Sequence, residues 1–280
     1  HERGTIWNQK SSKWLVPRFI AWKANIVLSN SYATKIMLVK KISIPEKKIR
    51  VLYNGINTLK EYDHSCHHKK NNLKFRIGFI GRLDSPKGVH VLIDAMHYLK
   101  NKNFELVIAG NGILESLLRE RASALNNVSF IGRVKNPYLF MSKIDLLVVP
   151  SIREPLGNVC LEAGLCRVPV LAANVDGLPE IIENKISGEL IDVTEEISIN
   201  TVQGAISLPE FVVNPVKGNL SAPKQINPSI LAKRILKLSS QDDKLKYYSN
   251  ELNKKVKNKF SIDRYRRELH KMYREIDIKG

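Results

Sequence analysis

From residue 75 onward the chain alternates two kinds of apolar spacing. Short unbroken runs at Phe75–Ile80, Phe104–Ala109, Val128–Ile131, Leu146–Val149, Val168–Ala172 and Gly188–Ile191 have the length of strands buried on both faces. Between them, stretches such as Val89–Leu99 and Leu114–Leu125 carry apolar residues at helical intervals. Repeated βα units predict a parallel sheet with helices on both faces. Right-handed crossovers then put the loops that follow the strands on one rim.

The flanks read differently. Trp14–Ala24 predicts a helix, Asn25–Ser29 a strand, Ser31–Val39 a helix and Lys48–Leu52 a strand, before the turn signal Asn54-Gly55. Residues 1–54 thus resemble part of another α/β unit, too short for a complete mononucleotide-binding domain. Residues 55–74 read as a linker. Their Asp63-His-Ser-Cys-His-His-Lys-Lys70 cluster lacks the spacing of structural zinc ligands, and a polar linker is the plainer reading. Residues 195–227, rich in Ser, Asn and Pro, show no period and predict a long loop or insertion. Helices are expected at Ile230–Leu238, Lys244–Val256 and Asp263–Ile276.

Candidate chemistry concentrates in two loops. In Glu154-Pro-Leu-Gly-Asn-Val-Cys-Leu-Glu162 two carboxylates stand eight positions apart, across a break that follows the apolar run Ile144–Pro150. Strand, loop and a helix opening near Gly157 are implied, with Glu162 about five residues into the helix, ~7–8 Å along its axis. The free amides and positive dipole end at Gly157, Asn158 and Val159 suit a phosphate. A ligand with hydroxyls at both ends and a diphosphate between them fits such a site, and a nucleotide-sugar is that ligand. The second loop, Ile77-Gly-Phe-Ile-Gly-Arg-Leu-Asp-Ser-Pro-Lys-Gly-Val89, offers Gly81 for close backbone approach and Arg82 and Lys87 as cations. It is neither a Gly-x-Gly-x-x-Gly fingerprint nor a P-loop, which disfavours a dinucleotide-dependent oxidoreductase or an NTPase.

These segments, with Val51-Leu-Tyr-Asn-Gly-Ile56, Leu106-Val-Ile-Ala-Gly-Asn-Gly112, Val128-Ser-Phe-Ile-Gly-Arg-Val134, Val168-Pro-Val170 and Gly177-Leu-Pro-Glu-Ile181, resemble the family-4 retaining glycosyltransferases (glycosyl transferases group 1) of the GT-B fold. The resemblance runs over most of the chain. It implies an α/β fold with a complete C-terminal Rossmann-like domain and a partial N-terminal one, as if the chain were N-terminally truncated. The expected division is 1–54 on the acceptor side, 55–74 as linker, 75–240 as nucleotide-sugar donor domain, and 241–280 as helices crossing back. By resemblance, Glu162 binds ribose hydroxyls, Glu154 the donor sugar, Arg82 and Lys87 the diphosphate, and the backbone around Arg133-Val134 the base. His1 precedes Ser31 by thirty residues, near the family's spacing for an active-site histidine, although an arbitrary terminal histidine would be inert. Leu156 and Cys166-Arg167 depart from the family pattern without removing a charged group the chemistry uses. No Asp-x-Asp occurs, so no metal or other cofactor is expected.

Composition refines the picture. The 280 residues carry a formal net charge of +18, unevenly spread. Residues 1–75 hold 15 basic against 4 acidic side chains and residues 231–280 hold 15 against 7, whereas the motif-bearing middle holds 15 against 16. Basic ends suit an anionic membrane surface, and no nucleic-acid-binding signature accompanies them. No apolar run approaches a membrane span, no signal-peptide pattern opens the chain, and Cys66, Cys160 and Cys166 form no disulfide framework. The expectation is a cytoplasmic transferase, peripheral on the inner membrane face, that passes a sugar to a glycan or lipid-linked acceptor. The alternative is a truncated, non-catalytic nucleotide-sugar-binding module.

Overall fold

A small α/β unit comes first in a computed structural model that describes residues 15–58, 74–100, 103–199 and 202–277. Helix α1 (Leu15–Lys23) leads to strand β1 (Val27–Ser29), helix α2 (Tyr32–Lys40) and strand β2 (Ile49–Val51), with β1 and β2 paired in parallel. Ser31 adopts an extended conformation at the N-cap of α2, and its hydroxyl accepts the Thr34 amide at 2.9 Å. Ala33, Met37, Leu38, Ile42 and Ile49 form a separate small core. Leu15, Val16, Phe19, Ile20 and Trp22 on α1 are exposed.

The larger unit alternates β3 (Phe75–Ile80), α3 (Val89–His97), β4 (Phe104–Ala109), α4 (Glu115–Arg121), β5 (Val128–Gly132), α5 (Pro137–Met141), β6 (Leu146–Val149), α6 (Asn158–Leu165), β7 (Val170–Ala173), α7 (Leu178–Ile181) and β8 (Glu189–Ile191). The sheet order is β5-β4-β3-β6-β7-β8, and every neighbouring pair is parallel. The chain builds outward from β3 to β5, then returns to lay β6 on the other edge of β3. All four residues of β6 and of β7 are buried, as unbroken apolar runs require when helices cover both faces. Strand bounds follow the sequence reading to within two residues, while α4 is shorter than the Leu114–Leu125 pattern.

The expected long loop at 195–227 needs correction. It contains an antiparallel hairpin, β9 (Val212–Asn214) with β10 (Asn219–Ser221). The Asn214 side chain accepts the Val216 and Lys217 amides and so shapes the turn. Val213 is buried in the core of the first unit, and Phe211 and Leu220 pack half-buried against it. Three-residue strands are too short to show a period, and their apolar partners lie some 175 residues upstream.

Three helices complete the chain: α8 (Pro228–Ser239), α9 (Asp242–Lys259) and α10 (Ile262–Asp277). Asn227 caps α8 by accepting the Ser229 and Ile230 amides. Glu189 on β8 ties down α8 and α9 through Arg234 at 3.0 Å, Lys244 at 2.9 Å and the Tyr248 hydroxyl at 3.0 Å. α9 crosses α6 at Gly164, and Asn253 donates to the Gly164 carbonyl at 2.8 Å. The start of α10 is stitched to the segment after β2: Ile262 N donates to Ile56 O, and Arg264 to Tyr53 O.

A Cβ on Gly164 would lie 2.7 Å from Val256 Cγ2 and 3.0 Å from Leu252 Cγ, so α9 can approach α6 this closely only over a glycine. Gly164→Ala is expected to destabilise the protein by ~1–3 kcal/mol in urea unfolding. Adding Val256→Ala should cost less in that background than alone, because the two residues share the contact.

Candidate functional site

β3 and β6 are neighbours, yet the chain leaves them toward opposite edges of the sheet. A crevice therefore opens at their C-terminal ends, the usual ligand position in an open α/β sheet. Two loops border it. After β3, Gly81 and Arg82 precede a 3₁₀ turn at Ser85–Lys87, capped by the Asp84 carboxylate on the Ser85 amide. After β6, Ser151–Gly157 leads into α6, whose N-cap is Gly157.

The loops are joined to each other. Ile152 N and Arg153 N both donate to Pro86 O, at 2.9 and 3.2 Å. Gly88 permits this: at φ 65 it sits where a Cβ would fall 2.1 Å from Pro150 O. Lys87 Nζ reaches Glu154 Oε2 at 2.5 Å, pairing residues that are 67 positions apart. Glu154 is buried.

A cavity of about 370 Å³ fills the crevice. Its walls bring together Gly81, Arg82, Lys87, Glu154, Gly157, Asn158, Val159 and Glu162, with Asn30 and Asn54 facing them from the first unit. Arg82 is exposed to the cavity. The amides of Asn158 and Val159 lie ahead of the first turn closed by Cys160 N on Gly157 O. Burial pushes the Glu162 carboxyl above its ordinary range. Asn54 Nδ2 donates to Asn158 Oδ1 at 2.8 Å and so links the two walls. A smaller cavity of about 230 Å³ shares Asn54, Asn158 and Glu162 and is walled by Tyr138 and Tyr265.

Val134 is not among the residues lining either cavity; it is half-buried against the main core beyond β5. His1, Cys66 and the 63–70 cluster lie outside the described residues. Cys160 and Cys166 are buried and not disulfide-bonded, and burial pushes Cys160 well above the usual thiol range.

Sequence reading missed the residues that hold the two units together. Glu180, on α7, accepts the Tyr32 amide at 2.8 Å and the Ala33 amide at 2.9 Å, capping α2 from the other unit. The Tyr53 hydroxyl bonds to the same carboxylate, and burial pushes both groups above their usual ranges. Asp176, just before α7, accepts the Glu154 amide at 2.9 Å and the Val213 amide at 2.7 Å. Asn54 had been legible as a turn residue in a family-like motif.

Two α/β units facing each other across a switch-point crevice, with paired cations and carboxylates at its rim, define a GT-B-type fold. The glycosyl transferases group 1 family matches residues 63–203, and the chain belongs to that family. The chain is 26% identical over 275 residues to the capsular polysaccharide biosynthesis glycosyltransferase CapM of Staphylococcus aureus, covering 93% of this chain and 64% of CapM. It is 32% identical over 181 residues to the Campylobacter jejuni N-acetylgalactosamine-N,N'-diacetylbacillosaminyl-diphospho-undecaprenol 4-alpha-N-acetylgalactosaminyltransferase, covering 63% of this chain and 49% of that enzyme. The chain thus spans less than two thirds of the length of these relatives. The crystal structure of Anabaena Alr3699/HepE in complex with UDP-glucose superposes with a TM-score of 0.75, covering 98% of this chain and 71% of that one. At 21% identity that likeness establishes the fold alone.

Glu180→Ala leaves two helix amides and the Tyr53 hydroxyl without their acceptor. It is expected to cost ~1–3 kcal/mol and to raise amide exchange at Tyr32 and Ala33, measured by hydrogen exchange, while the six-stranded sheet keeps its protection.

Proposed function

We propose that the chain carries the donor site of a retaining glycosyltransferase that moves a sugar from a nucleoside-diphosphate sugar to an acceptor hydroxyl. The observation that carries this reading is the cavity at the β3–β6 switch point, where two cations, two carboxylates and the α6 N-terminus meet. The spacing matches a ligand with a diphosphate between two hydroxyl-bearing ends. Glu162 is the ribose-binding residue in this reading: it has burial to offset and lone pairs to fill, and two vicinal hydroxyls supply donors. Glu154 takes the sugar hydroxyls.

In the reaction the bond from the anomeric carbon to the diphosphate oxygen breaks, and its electron pair leaves with the diphosphate. Arg82, Lys87 and the amides of Asn158 and Val159 carry the growing negative charge, a preorganised stabilisation that invokes no metal. The acceptor oxygen bonds to the anomeric carbon on the face the leaving group vacates, which retains configuration. Its proton passes to the departing diphosphate. Lys87 begins on Glu154, so movement toward the diphosphate frees the carboxylate for the sugar.

CapM and the Campylobacter enzyme support a polysaccharide or lipid-linked glycan as the acceptor. A membrane-bound acceptor fits the basic, exposed face of α10, where Arg267, Lys271 and Arg274 stand in solvent. Among the described residues no helix is long and apolar enough to cross a membrane.

Glu162→Ala is expected to weaken donor affinity by ~1.5–3 kcal/mol in calorimetry against a panel of nucleotide-sugars. Lys87→Ala should instead depress kcat more than affinity, since the diphosphate gains charge only as it leaves. Unchanged affinity in a folded Glu162→Ala protein would remove the ribose assignment. For the surface, replacing Arg267, Lys271 and Arg274 with Gln should reduce co-sedimentation with anionic vesicles at low salt, by about 1 kcal/mol per charge. Equal binding by both proteins would leave α10 as ordinary solvated surface.

A further inference from the structure

Both donor-site loops are held from behind by one segment, residues 202–227. Its first grip is Ile206, whose amide donates at 2.9 Å to Asp84 Oδ1, the oxygen that also caps Ser85 at the start of the Lys87 turn. The second is Val213. Its amide donates to Asp176 Oδ1 at 2.7 Å, its carbonyl accepts the Asp176 amide at 3.1 Å, and Asp176 Oδ2 holds the Glu154 amide at 2.9 Å. Both aspartates are buried. Asp176 stands at φ 47, a left-handed conformation that aspartate adopts only at some cost. The far side of the same segment packs into the first unit: Phe211, Val213 and Leu220 join Met37 and Leu38, and Lys41 Nζ sits 3.5 Å over the Phe211 ring.

We propose that residues 202–227 act as a strap that positions the Arg82–Lys87 and Glu154 loops, with Asp84 and Asp176 as the positioning residues through which it works. The role of those loops rests on the donor site proposed above; the mechanical link does not. A carboxylate is the one short side chain that accepts an amide on each of two oxygens. Asparagine at 176 would set an NH₂ against one of the two N–H groups and lose that bond. Burial pushes the Asp176 carboxyl up to about 7, against the pull of the two amides and of Arg153, while Glu154 adds to the rise. Opening the segment would return Asp176 to water and to the ordinary carboxylate range, so the closed arrangement binds the proton more tightly and the link strengthens as pH falls through neutrality. Because the strap also lies in the core of the first unit, the donor loops and that unit share one support.

Hydrogen exchange on the full chain tests this, with rates corrected for their intrinsic pH dependence. In Asp176→Asn the amides of Glu154 and Val213 should exchange together, about tenfold faster or more, while β3–β7 amides keep their rates. Wild-type protein should gain protection at Glu154 between pH 8 and pH 6, and Asp176→Asn should show no such step. Asp84→Ala should accelerate the amides of Ser85, Lys87, Gly88 and Ile206 in the same way. Acceleration of Val213 with Glu154 unchanged, acceleration spread evenly over the sheet, or a pH step retained in Asp176→Asn would each overturn the proposal. The wild-type pH series reads out even if a variant fails to fold. Calorimetry of wild-type protein with UDP- and GDP-sugars reports on the donor reading separately: no binding to the panel alongside the expected exchange pattern would sink that reading and leave the strap.

Discussion

Parallel strands bury both faces, so their connections must run over the sheet and return to the same end before the next strand begins. That constraint organises this molecule. It sends every loop that follows a strand to one rim, and the reversal between β5 and β6 parts two of those loops at the centre of the sheet. Lys87 and Glu154 come from loops on opposite sides of the reversal, and their ion pair closes the floor of the crevice. Neither residue depends on its own neighbours in sequence for its partner.

The same rim poses a problem of its own: loop amides there have no ladder to join. Buried carboxylates accept many of them. Asp84 takes Ser85 and Ile206, Asp176 takes Glu154 and Val213, and Glu180 takes Tyr32 and Ala33. Each carboxylate joins two segments far apart in sequence or caps a turn while doing so. Burying such groups is costly, as the raised Asp176 and Glu180 values show. The cost is offset where both oxygens accept amides, and the return is a rim of fixed shape.

The motif residues of the glycosyl transferases group 1 family thus form one wall of a cavity whose other wall, Asn30 and Asn54, belongs to the first unit. The units meet through side chains on that wall and through the β9–β10 hairpin, so a change in their spacing reaches Asn158 through Asn54 and Glu154 through Asp176. The chain spans less than two thirds of the relatives it matches.

The sequence by itself determined the strands, the helices and the order of the loops on the rim, because burial on two faces writes unbroken apolar runs such as Leu146–Val149 and because Gly, Pro and Asn punctuate them. The spacing of Glu154 and Glu162 was equally local, a loop and one helical turn, and both line one cavity. What the sequence did not show is every feature whose energy comes from a distant partner. The β9–β10 hairpin owes its form to α2, far upstream, and three-residue strands carry no period. Asp176 and Glu180 take their amide partners from distant segments, which no local pattern shows. Asn54 stood in a turn signal and a family-like motif, and only folding set it against Asn158. Only tertiary structure decided these positions, since hydrogen bonds between segments depend on where the sheet and its crossovers bring the chain, and no local pattern encodes that distance.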